Sequence, residues 1–366
     1  MDKLRIGIVG ADAQGQGWAP LAHFPALRAM PEFDIAALCT TREETARAAA
    51  ARYGVAQAFH DYRDLVTRSD IDIVAVVVRA PNHDEVVRAA LAARKHVYCE
   101  WPLGADTAQA EAMAAAARVA GVRTAVGLQA RCDPTLRYVR DLVRDGYVGE
   151  PLAVTLAMLT ANAPERPRSK QWETRRAGGV SALTVRGIHS LDALCLCVDE
   201  IADVSARVAT QVRQWRVSGT DETMAVEVPD NVIVAGTLRN GAVLSAHVAT
   251  LPSTTPGFRL EIHGSKGALV VATPGAPQRD ENRLHGAQGR APLAPLDVPA
   301  SYRDDIPADV PSGPPNNVAR LYRRLATAIR TGGTVEPDFD HAVHRHRLID
   351  AITRASDERR AVDIEG

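Results

Sequence analysis

Short, continuous apolar runs alternate with helix-like segments along the first 128 residues. Runs with so little polar alternation are typical of strands that are covered on both faces of a parallel sheet. The predicted strands are 4–9, Phe33–Cys39, Val55–Phe59, Ile71–Val78, His96–Cys99 and Arg123–Leu128. The predicted helices between them are Trp18–Met30, Glu43–Tyr53, Tyr62–Arg68, Asp84–Ala93 and Glu111–Ala120. This pattern predicts an α/β fold with a doubly wound parallel sheet in a domain spanning residues 1–128.

The pattern changes after Asp133-Pro134, where strand-like segments with polar and apolar alternation become frequent. Such alternation predicts an antiparallel sheet with one solvated face. The predicted strands are Pro151–Leu159, Val204–Val217, Glu222–Val228, Asn231–Arg239, Ala242–Thr250, Phe258–His263 and Ala268–Ala272. The predicted helices are Thr135–Asp145, 190–197, Asn316–Thr331 and Asp340–Ser356. We therefore expect residues 129–366 to form a C-terminal α/β domain with a large, mostly antiparallel open sheet.

The segment 271–315 interrupts this pattern. It holds nine of the 22 prolines of the chain and shows no periodic apolar pattern. A long segment of this kind predicts an excursion over the surface, such as a rim or a subunit contact.

Composition narrows the class of protein. A chain of 366 residues with 46% apolar content buries a large core and divides into two domains. A net charge of −1 gives no reason to expect direct binding of nucleic acid or of a membrane. No run approaches 18 apolar residues and no signal segment precedes the first strand, so we expect a soluble cytoplasmic protein. The five cysteines have neither disulfide nor metal-ligand spacing, which predicts buried free thiols.

A glycine-rich joint connects the first predicted strand to the first predicted helix. Gly10 and Gly15 hold the first and third glycine positions of G-x-G-x-x-G, and Asp12 holds the middle one. In a Rossmann domain this joint lets the backbone approach a pyrophosphate at a helix N-terminus. A carboxylate at position 12 would repel a diphosphate unless the loop takes another path, which the additional Gly17 indicates. An ordinary glycine-rich turn is the alternative. The predicted cofactor-binding residues here are Gly10, Asp12, Gly15, Gln16, Gly17 and Trp18.

The end of the second predicted strand bears on the choice of cofactor. An acidic residue at this place binds the ribose 2′-hydroxyl of NAD, but here the strand is followed by Thr40, Thr41 and Arg42. Two hydroxyls and a guanidinium suit a 2′-phosphate. We therefore predict NADP in preference to NAD. The alternative is that these residues cap the helix that starts near Glu43.

Several short blocks follow one another in a specific order. They are 6–17, 80–83 (Ala-Pro-Asn-His), 100–102 (Glu-Trp-Pro), 127–131 (Gly-Leu-Gln-Ala-Arg), 178–179, 187–192, 261–267 and 337–339. Together they resemble the glucose-fructose oxidoreductase/inositol dehydrogenase (Gfo/Idh/MocA) family over nearly the whole length. The resemblance implies hydride transfer between a nicotinamide and a hydroxyl or carbonyl carbon of a small sugar-like, polyol or cyclic substrate. It also implies a homo-oligomer, a dimer or tetramer, formed through the C-terminal sheet.

The catalytic positions depart from the pattern of that family. Oxidation of a hydroxyl needs a base for the proton and a cation near the developing alkoxide. Family members typically supply a Lys in Glu-Lys-Pro and an Asp one turn before a His, whereas this chain has Trp101 and Val185 there. The His is present as His189. The replacement of Lys by Trp is most similar to the branch that contains the fungal galactose-regulon repressor. The predicted catalytic residues are His189, Asp192, Trp101 and Lys170, and Lys170, Arg186 and Arg131 are candidates to replace the missing charge.

The resemblance extends the cofactor site beyond the glycine-rich joint. The further predicted cofactor-binding residues are Ala80, Pro81, His83, Glu100, Trp101, Pro102, Gln129 and Arg131. His83 either contacts the nicotinamide ribose or caps a helix, and Arg131 contacts cofactor or substrate or pairs with Asp133. A cis peptide is expected before Pro102. His341, His344 and His346 do not share a helix face, so no metal site is predicted.

Three functions remain open from the sequence. The first is an oxidoreductase that uses His189 for proton transfer, which the retained cofactor residues favour. The second is a regulator or sensor that binds nucleotide without turnover, which Trp101 and Val185 favour. The third is a redox-neutral enzyme whose tightly held cofactor oxidises the substrate transiently. The alternative to a catalytic role for His189 is a buried core histidine. The corresponding alternative for Asp192 is an ion-pair partner.

Overall fold

The computed structural model describes residues 2–162 and 164–364 of the 366 residues, in two compact units. The first unit combines Met1–Gln129 with Asp304–Val343, and the second combines Ala130–Arg303 with His344–Gly366. The first break follows Gln129, and the predicted division into domains 1–128 and 129–366 stays a prediction. The segment Asp304–Val343 packs in the first unit. The reason is the buried face of the helix Pro314–Thr331, whose Tyr322 stacks on Tyr98 with ring centroids 4.6 Å apart.

A parallel sheet forms the centre of the first unit, as predicted. Its strands are β1 (Leu4–Val9), β2 (Phe33–Cys39), β3 (Gln57–Phe59), β4 (Ile73–Val76), β5 (His96–Cys99) and β6 (Thr124–Val126). Among the described residues they run in the order β3-β2-β1-β4-β5-β6, and all neighbouring pairs are parallel. The order reverses between β1 and β4, which is where doubly wound sheets bind ligands.

Helices connect these strands close to the predicted positions. They are Phe24–Ala29, Glu43–Tyr53, Tyr62–Val66, His83–Ala92 and Thr107–Ala120, with a π-helical turn at Ala19–His23 and a 3₁₀ turn at Ala80–Asn82. The helix Pro314–Thr331, from a later part of the chain, also belongs to this unit. The helix predicted from Glu111 starts at Thr107, because the Asp106 carboxylate accepts a hydrogen bond from the Gln109 backbone N–H.

A mixed, mostly antiparallel sheet dominates the second unit and confirms the predicted class. In the described part of the chain its order is β17-β16-β15-β14-β7-β13-β12-β9-β18, with β7 and β13 parallel and the other neighbours antiparallel. The strands of this unit are β7 (Pro151–Ala161), β8 (Glu165–Arg166), β9 (Ile201–Ala209), β10 (Gln214–Val217), β11 (Thr223–Ala225), β12 (Asn231–Leu238), β13 (Val243–Leu251), β14 (Gly257–Gly264), β15 (Gly267–Thr273), β16 (Arg283–Gln288), β17 (Ala294–Pro295) and β18 (Val362–Asp363).

The segment predicted as one strand, Val204–Val217, is two strands in different sheets. β9 lies in the large sheet, whereas β10 pairs with β8 and β11 in a small sheet. The chain turns between them where the Asp230 carboxylate accepts hydrogen bonds from the backbone N–H groups of Gln211 (2.8 Å) and Val212 (2.6 Å).

The prediction of a surface excursion over 271–315 is wrong in its first half. β16 and β17 extend the large sheet at its edge, with Leu284 and Gly286 buried. A Cβ at Gly286 would lie 2.4 Å from the Leu296 side chain, so the inward position holds glycine. Because glycine carries no apolar side chain, the alternation of this strand is invisible in the sequence.

The helices of the second unit include Pro134–Arg144, the π-helical turn Ala182–Gly187 and the helix Ile188–Cys197, while Phe339–Glu358 begins in the first unit and ends in the second. The helical run Arg176–Cys197 is long and apolar enough to cross a membrane by length and composition alone. However, 67% of its apolar window is buried, as in the core helix of a globular unit. The five cysteines are free and buried, as predicted.

Candidate functional site

The predicted cofactor residues of the first unit follow the carboxyl ends of its parallel strands. Gly10 follows β1, Thr40 follows β2 and Glu100 follows β5, while Ala80 and Gln129 come within a few residues of the ends of β4 and β6. Carboxyl ends of parallel strands lie at one edge of the sheet. The structure therefore brings these segments to the same edge, on both sides of the point where the strand order reverses.

Glycine is required at two positions of the loop after β1. Gly10 has φ +105°, and a Cβ there would lie 2.2 Å from the Val77 carbonyl oxygen. Gly15 has φ +79°, and a Cβ there would lie 2.4 Å from Nη2 of Arg52. Both backbone conformations favour glycine, and both positions are closely packed. Arg52, near the end of the helix Glu43–Tyr53, thus places a cation beside this loop, a feature that the sequence analysis missed.

The Asp12 side chain turns back into its own loop. Its carboxylate accepts hydrogen bonds from the backbone N–H groups of Gln14 (2.9 Å), Gln16 (2.6 Å) and Gly17 (2.8 Å). Burial acts to raise the pKa of Asp12, but these three donors and the charge of Arg52 lower it below the ordinary value of 3.8. The Asp12 carboxylate is therefore held by the backbone of its own loop, and a path that differs from G-x-G-x-x-G stays a prediction. The partly buried Trp18 begins the helical run that follows.

The segment after β2 leaves a guanidinium exposed. The Thr40 hydroxyl donates to the Arg42 carbonyl oxygen (3.1 Å) and pairs with the Thr45 hydroxyl (2.7 Å). Thr41 and Arg42 are exposed, and within the part of the chain that the structure describes the Arg42 guanidinium has no hydrogen bond or ion pair. Arg42 occupies the N-cap position of the next helix without a side-chain cap, so the capping alternative for these residues is not observed.

Glu100 is held by side chains from two other elements. His23 Nε2 lies 2.9 Å from Glu100 Oε1, and Gln129 Nε2 donates to both carboxylate oxygens at 3.0 and 2.9 Å. His23 Nδ1 in turn lies 2.8 Å from the Tyr322 hydroxyl. A Cβ at Gly127 would lie 2.5 Å from Glu100 Oε2, so glycine leaves room for the carboxylate. Gln129 therefore positions Glu100.

His23 and Tyr322 were not predicted as parts of this network. The sequence signal for His23 is a histidine within an otherwise apolar helical segment. The structure shows that its imidazole is fully buried, and a buried imidazole needs hydrogen-bond partners. The peptide between Trp101 and Pro102 is cis, which confirms that prediction, and the Trp101 ring is buried.

His83 is buried and bound to the backbone. Its Nδ1 lies 2.9 Å from the Pro102 carbonyl oxygen and its Nε2 lies 3.1 Å from the Val78 carbonyl oxygen. Burial lowers the pKa of His83, although both carbonyl groups act in the opposite direction. Since both ring nitrogens are engaged, this geometry does not present His83 to a ribose and does not make it a helix cap. Before it, Ala80 is buried and Pro81 is exposed in the 3₁₀ turn.

His189 lies in the second unit, in the first turn of the helix Ile188–Cys197, and is 6% exposed. Val185, four residues earlier, belongs to the π-helical turn that leads directly into this helix. Residues four apart lie on the same side of a helix, so Val185 and His189 are neighbours along it.

Asp192 and Arg131 belong to a buried ion-pair network rather than to an open site. Asp192 Oδ1 accepts from Arg345 Nε (2.7 Å) and from Arg131 Nη1 (3.2 Å), and Asp192 is fully buried. Arg345 also binds both carboxylate oxygens of Glu200 at 2.6 Å. Asp192 and Arg131 are therefore ion-paired inside the unit, and the catalytic role of Asp192 and the cofactor contact of Arg131 stay predictions.

A cavity of about 360 Å³ lies in the second unit. Lys170, Trp172, Val185 and Arg186 line it, as do Arg166 and Trp215. Lys170 Nζ lies 2.6 Å from Glu173 Oε1 and the side chain is 48% exposed, so its charge is paired. No group of three or more metal-ligating side chains occurs among residues 2–162 and 164–364.

Comparison with known proteins identifies both parts of the chain. Residues 4–128 match the model of an oxidoreductase family with an NAD-binding Rossmann fold, and residues 140–364 match the C-terminal α/β domain of the same family. The dehydrogenase aclE of Aspergillus oryzae is 29% identical over 97% of this chain and 96% of its own. The galactose/lactose metabolism regulatory protein GAL80 of Saccharomyces cerevisiae is 29% identical over 73% of this chain and 66% of its own. The crystal structure of an NAD binding oxidoreductase from Klebsiella pneumoniae has 26% identity, full coverage of both chains and a TM-score of 0.85.

Proposed function

The chain belongs to the Gfo/Idh/MocA oxidoreductase family, and we propose that it transfers a hydride between NADP and a hydroxyl or carbonyl carbon of a small sugar-like, polyol or cyclic substrate. The observation that carries this proposal is the place of His189. Its imidazole lies one helical turn from Val185, which lines the cavity of the second unit. A group at this position is suited to take the hydroxyl proton as hydride leaves the substrate carbon.

The nicotinamide cofactor supplies the hydride chemistry when it is bound. The residues of this chain that would hold it are those at the carboxyl edge of the first sheet. The loop of Gly10 and Gly15 would lie along the diphosphate with Arg52 as the nearby cation, and Thr40–Arg42 would meet the adenosine ribose. The exposed Arg42 supports NADP, since a guanidinium binds a 2′-phosphate with parallel hydrogen bonds.

The lysine of the family pattern has no direct replacement. Trp101 is buried and uncharged, Lys170 is paired with Glu173, and Arg131 is bound to Asp192. Of the candidates from the sequence, Arg186 is the one that lines the cavity without an ion pair among the described residues. We expect slower turnover than a lysine would give, since a cation close to the alkoxide is worth several kcal/mol.

A non-catalytic regulator is the second candidate function. The replacement of the lysine by Trp101, the apolar Val185 and the similarity to GAL80 favour it. A redox-neutral enzyme with tightly held cofactor is the remaining alternative. The fully buried position of Asp192 does not distinguish this function from the other two.

The experiment is a titration of the purified protein with NADPH, NADP, NADH and NAD, followed by a turnover screen. Sugars, cyclitols and small ketones are tested for a change in the near-ultraviolet absorbance of reduced nicotinamide. We expect submillimolar binding of NADPH and turnover of at least one substrate class. Tight binding with no turnover across the panel would instead support the regulator. Cofactor that copurifies and stays bound while substrate is converted without net absorbance change would support the redox-neutral enzyme.

We further propose a homo-oligomer formed through the large sheet and a cytoplasmic location. Ile233 on β12 and Val243 on β13 are exposed on the same face of two paired strands. Exposed apolar side chains on adjacent strands support an interface between copies. Sedimentation velocity tests this directly, and a monomer at micromolar concentration would contradict it.

A further inference from the structure

The cavity of the second unit has walls of two kinds. Trp172, Trp215 and several proline and valine side chains provide apolar surface. Arg166, Lys170 and Arg186 provide three cations, and Glu173 and Asp230 provide two carboxylates. Which charges remain for a ligand therefore depends on the pairs that these groups form with each other.

Both carboxylates are already engaged. Glu173 lies 2.6 Å from Lys170 Nζ, and Asp230 accepts two backbone hydrogen bonds, from Gln211 and Val212. Three cations and two carboxylates leave the lining with one excess positive charge.

Arg186 is the cation most open to a ligand. It is partly buried, and among residues 2–162 and 164–364 its guanidinium has neither a hydrogen bond nor an ion pair. Burial lowers the pKa of Arg186, as do the charges of Arg166 and Arg279, against the opposite effect of Glu173. A partly desolvated guanidinium beside two other arginines is unfavourable on its own, and an anion would relieve this cost.

Arg166 is fixed beside the apolar wall. Its guanidinium carbon lies 4.9 Å from the centroid of the Trp215 ring, and its Nη1 donates to the Glu165 carbonyl oxygen at 2.8 Å. This cation–π contact fixes the indole in the lining that also holds Arg186. Such a wall suits a ring or carbon skeleton that carries an anionic group.

We propose that this cavity binds a carboxylate-bearing substrate, with the carboxylate on Arg186 and the carbon skeleton against Trp215. A planar carboxylate matches the fork of a guanidinium. A phosphate dianion fits less well, because Glu173 and Asp230 lie in the same lining. Val185 lines the cavity four residues before His189, about 6 Å along the helix axis, which places the carboxylate site near the proton-transferring group. This inference deepens the proposed function and rests on it for the identity of the substrate site.

The test compares molecules that differ only in one group. D-Galacturonate, D-galactose and D-galactose 6-phosphate form one set, and benzoate with benzyl alcohol forms another. Binding to the full chain, with and without NADPH, is followed by calorimetry and by tryptophan fluorescence. We expect the carboxylate of at least one set to bind about tenfold or more tighter than its neutral and phosphorylated counterparts, as a charge-assisted hydrogen bond predicts.

Variants separate the cavity from general electrostatics. Arg186→Gln is expected to remove the preference for the carboxylate and to leave the affinity for the neutral counterpart unchanged, while Arg186→Lys keeps part of the preference. Arg175→Gln is the matched control, because Arg175 is an exposed arginine outside the cavity lining. Thermal melting of each variant establishes that it is folded.

Three results would overturn the inference: equal or tighter binding of the neutral or phosphorylated molecules, no binding by either carboxylate, or equal loss for all ligands in Arg186→Gln. Other results would contradict the proposed function alone or this inference alone. Carboxylate binding without any hydride transfer would support the carboxylate site and contradict the dehydrogenase. Turnover of neutral polyols alone would support the dehydrogenase and contradict the carboxylate site.

Discussion

The carboxylate of Asp12 accepts a hydrogen bond from the backbone N–H of Gly17 across 2.8 Å. The same carboxylate binds the N–H groups of Gln14 and Gln16. In a loop of this type, such donors would otherwise face an anionic ligand. The Asp12 carboxylate therefore occupies these donors. A diphosphate that binds to this loop would lie beside its negative charge, which Arg52 only partly offsets.

The substitution Asp12→Asn tests this arrangement through cofactor affinity. The asparagine oxygen can keep the two hydrogen bonds of Oδ2, from Gln16 and Gly17, whereas the negative charge and the hydrogen bond from Gln14 to Oδ1 are lost. We expect the Kd for NADPH to fall by about a factor of three to ten, which corresponds to roughly 1 kcal/mol of repulsion between partly exposed charges. Calorimetry at two salt concentrations measures this change. An unchanged or higher Kd in a folded variant would show that the charge does not oppose the cofactor.

The pH dependence of stability tests the same carboxylate without a ligand. The pKa of Asp12 is lowered in the folded chain, so its contribution to stability is present above the unfolded pKa and is lost as the pH falls through the lower, folded pKa. The difference in melting temperature between the original chain and Asp12→Asn should be constant near neutral pH. It should shrink only below the ordinary Asp value of 3.8. A difference that already disappears around pH 5 would contradict the lowered pKa.

Arg42 is expected to determine the choice between NADP and NAD. Arg42→Ala should weaken NADPH binding about tenfold or more, as expected for a lost charged hydrogen bond, and leave NADH binding unchanged. Arg47→Ala is the matched control, because Arg47 lies on the same helix, is exposed and pairs with Glu43. Equal effects on both cofactors, or none, would favour NAD as the natural cofactor.

His189→Ala should lower kcat by a factor of about 100 to 10,000, the usual contribution of a general base, while the Kd for NADPH stays the same. The pH profile of kcat should lose the limb that a general base produces. His263→Ala is the control, since His263 is exposed on β14 and is predicted to have no part in the reaction. Full activity of the His189 variant would make His189 a core histidine.

The sheet of the first unit is predictable from the sequence because its strands are continuous apolar runs between helices with clear ends. Gly54 and Gly121, for example, adopt the left-handed conformation at the C-termini of two helices. The edge of the sheet at which the predicted cofactor residues lie also follows from the order of the strands alone. β16 escapes prediction because Gly286 fills an inward position without an apolar side chain.

The partners of buried polar groups are less predictable, since they come from distant parts of the chain. His23 meets Tyr322, and Asp192 meets Arg345, across gaps in sequence that no local pattern encodes. The catalytic interpretation of Asp192 rested on its proximity to His189 in the sequence. The structure shows instead that its carboxylate faces two guanidinium groups.

Asp192→Asn distinguishes a structural from a catalytic role at this position. Loss of the carboxylate charge leaves Arg131 without this counterion in a buried environment, and breaking a buried pair in this way costs about 3 to 5 kcal/mol. We expect the free energy of unfolding, measured with urea, to fall by that amount. Asp145→Asn, which breaks an exposed pair with Arg144, should change it by less than about 1 kcal/mol. The kcat of the folded Asp192 variant and its pH profile should be close to those of the original chain. A large drop in kcat at unchanged stability would instead place Asp192 in the catalytic machinery, because a carboxylate that only anchors Arg131 and Arg345 affects turnover through the fraction of folded protein.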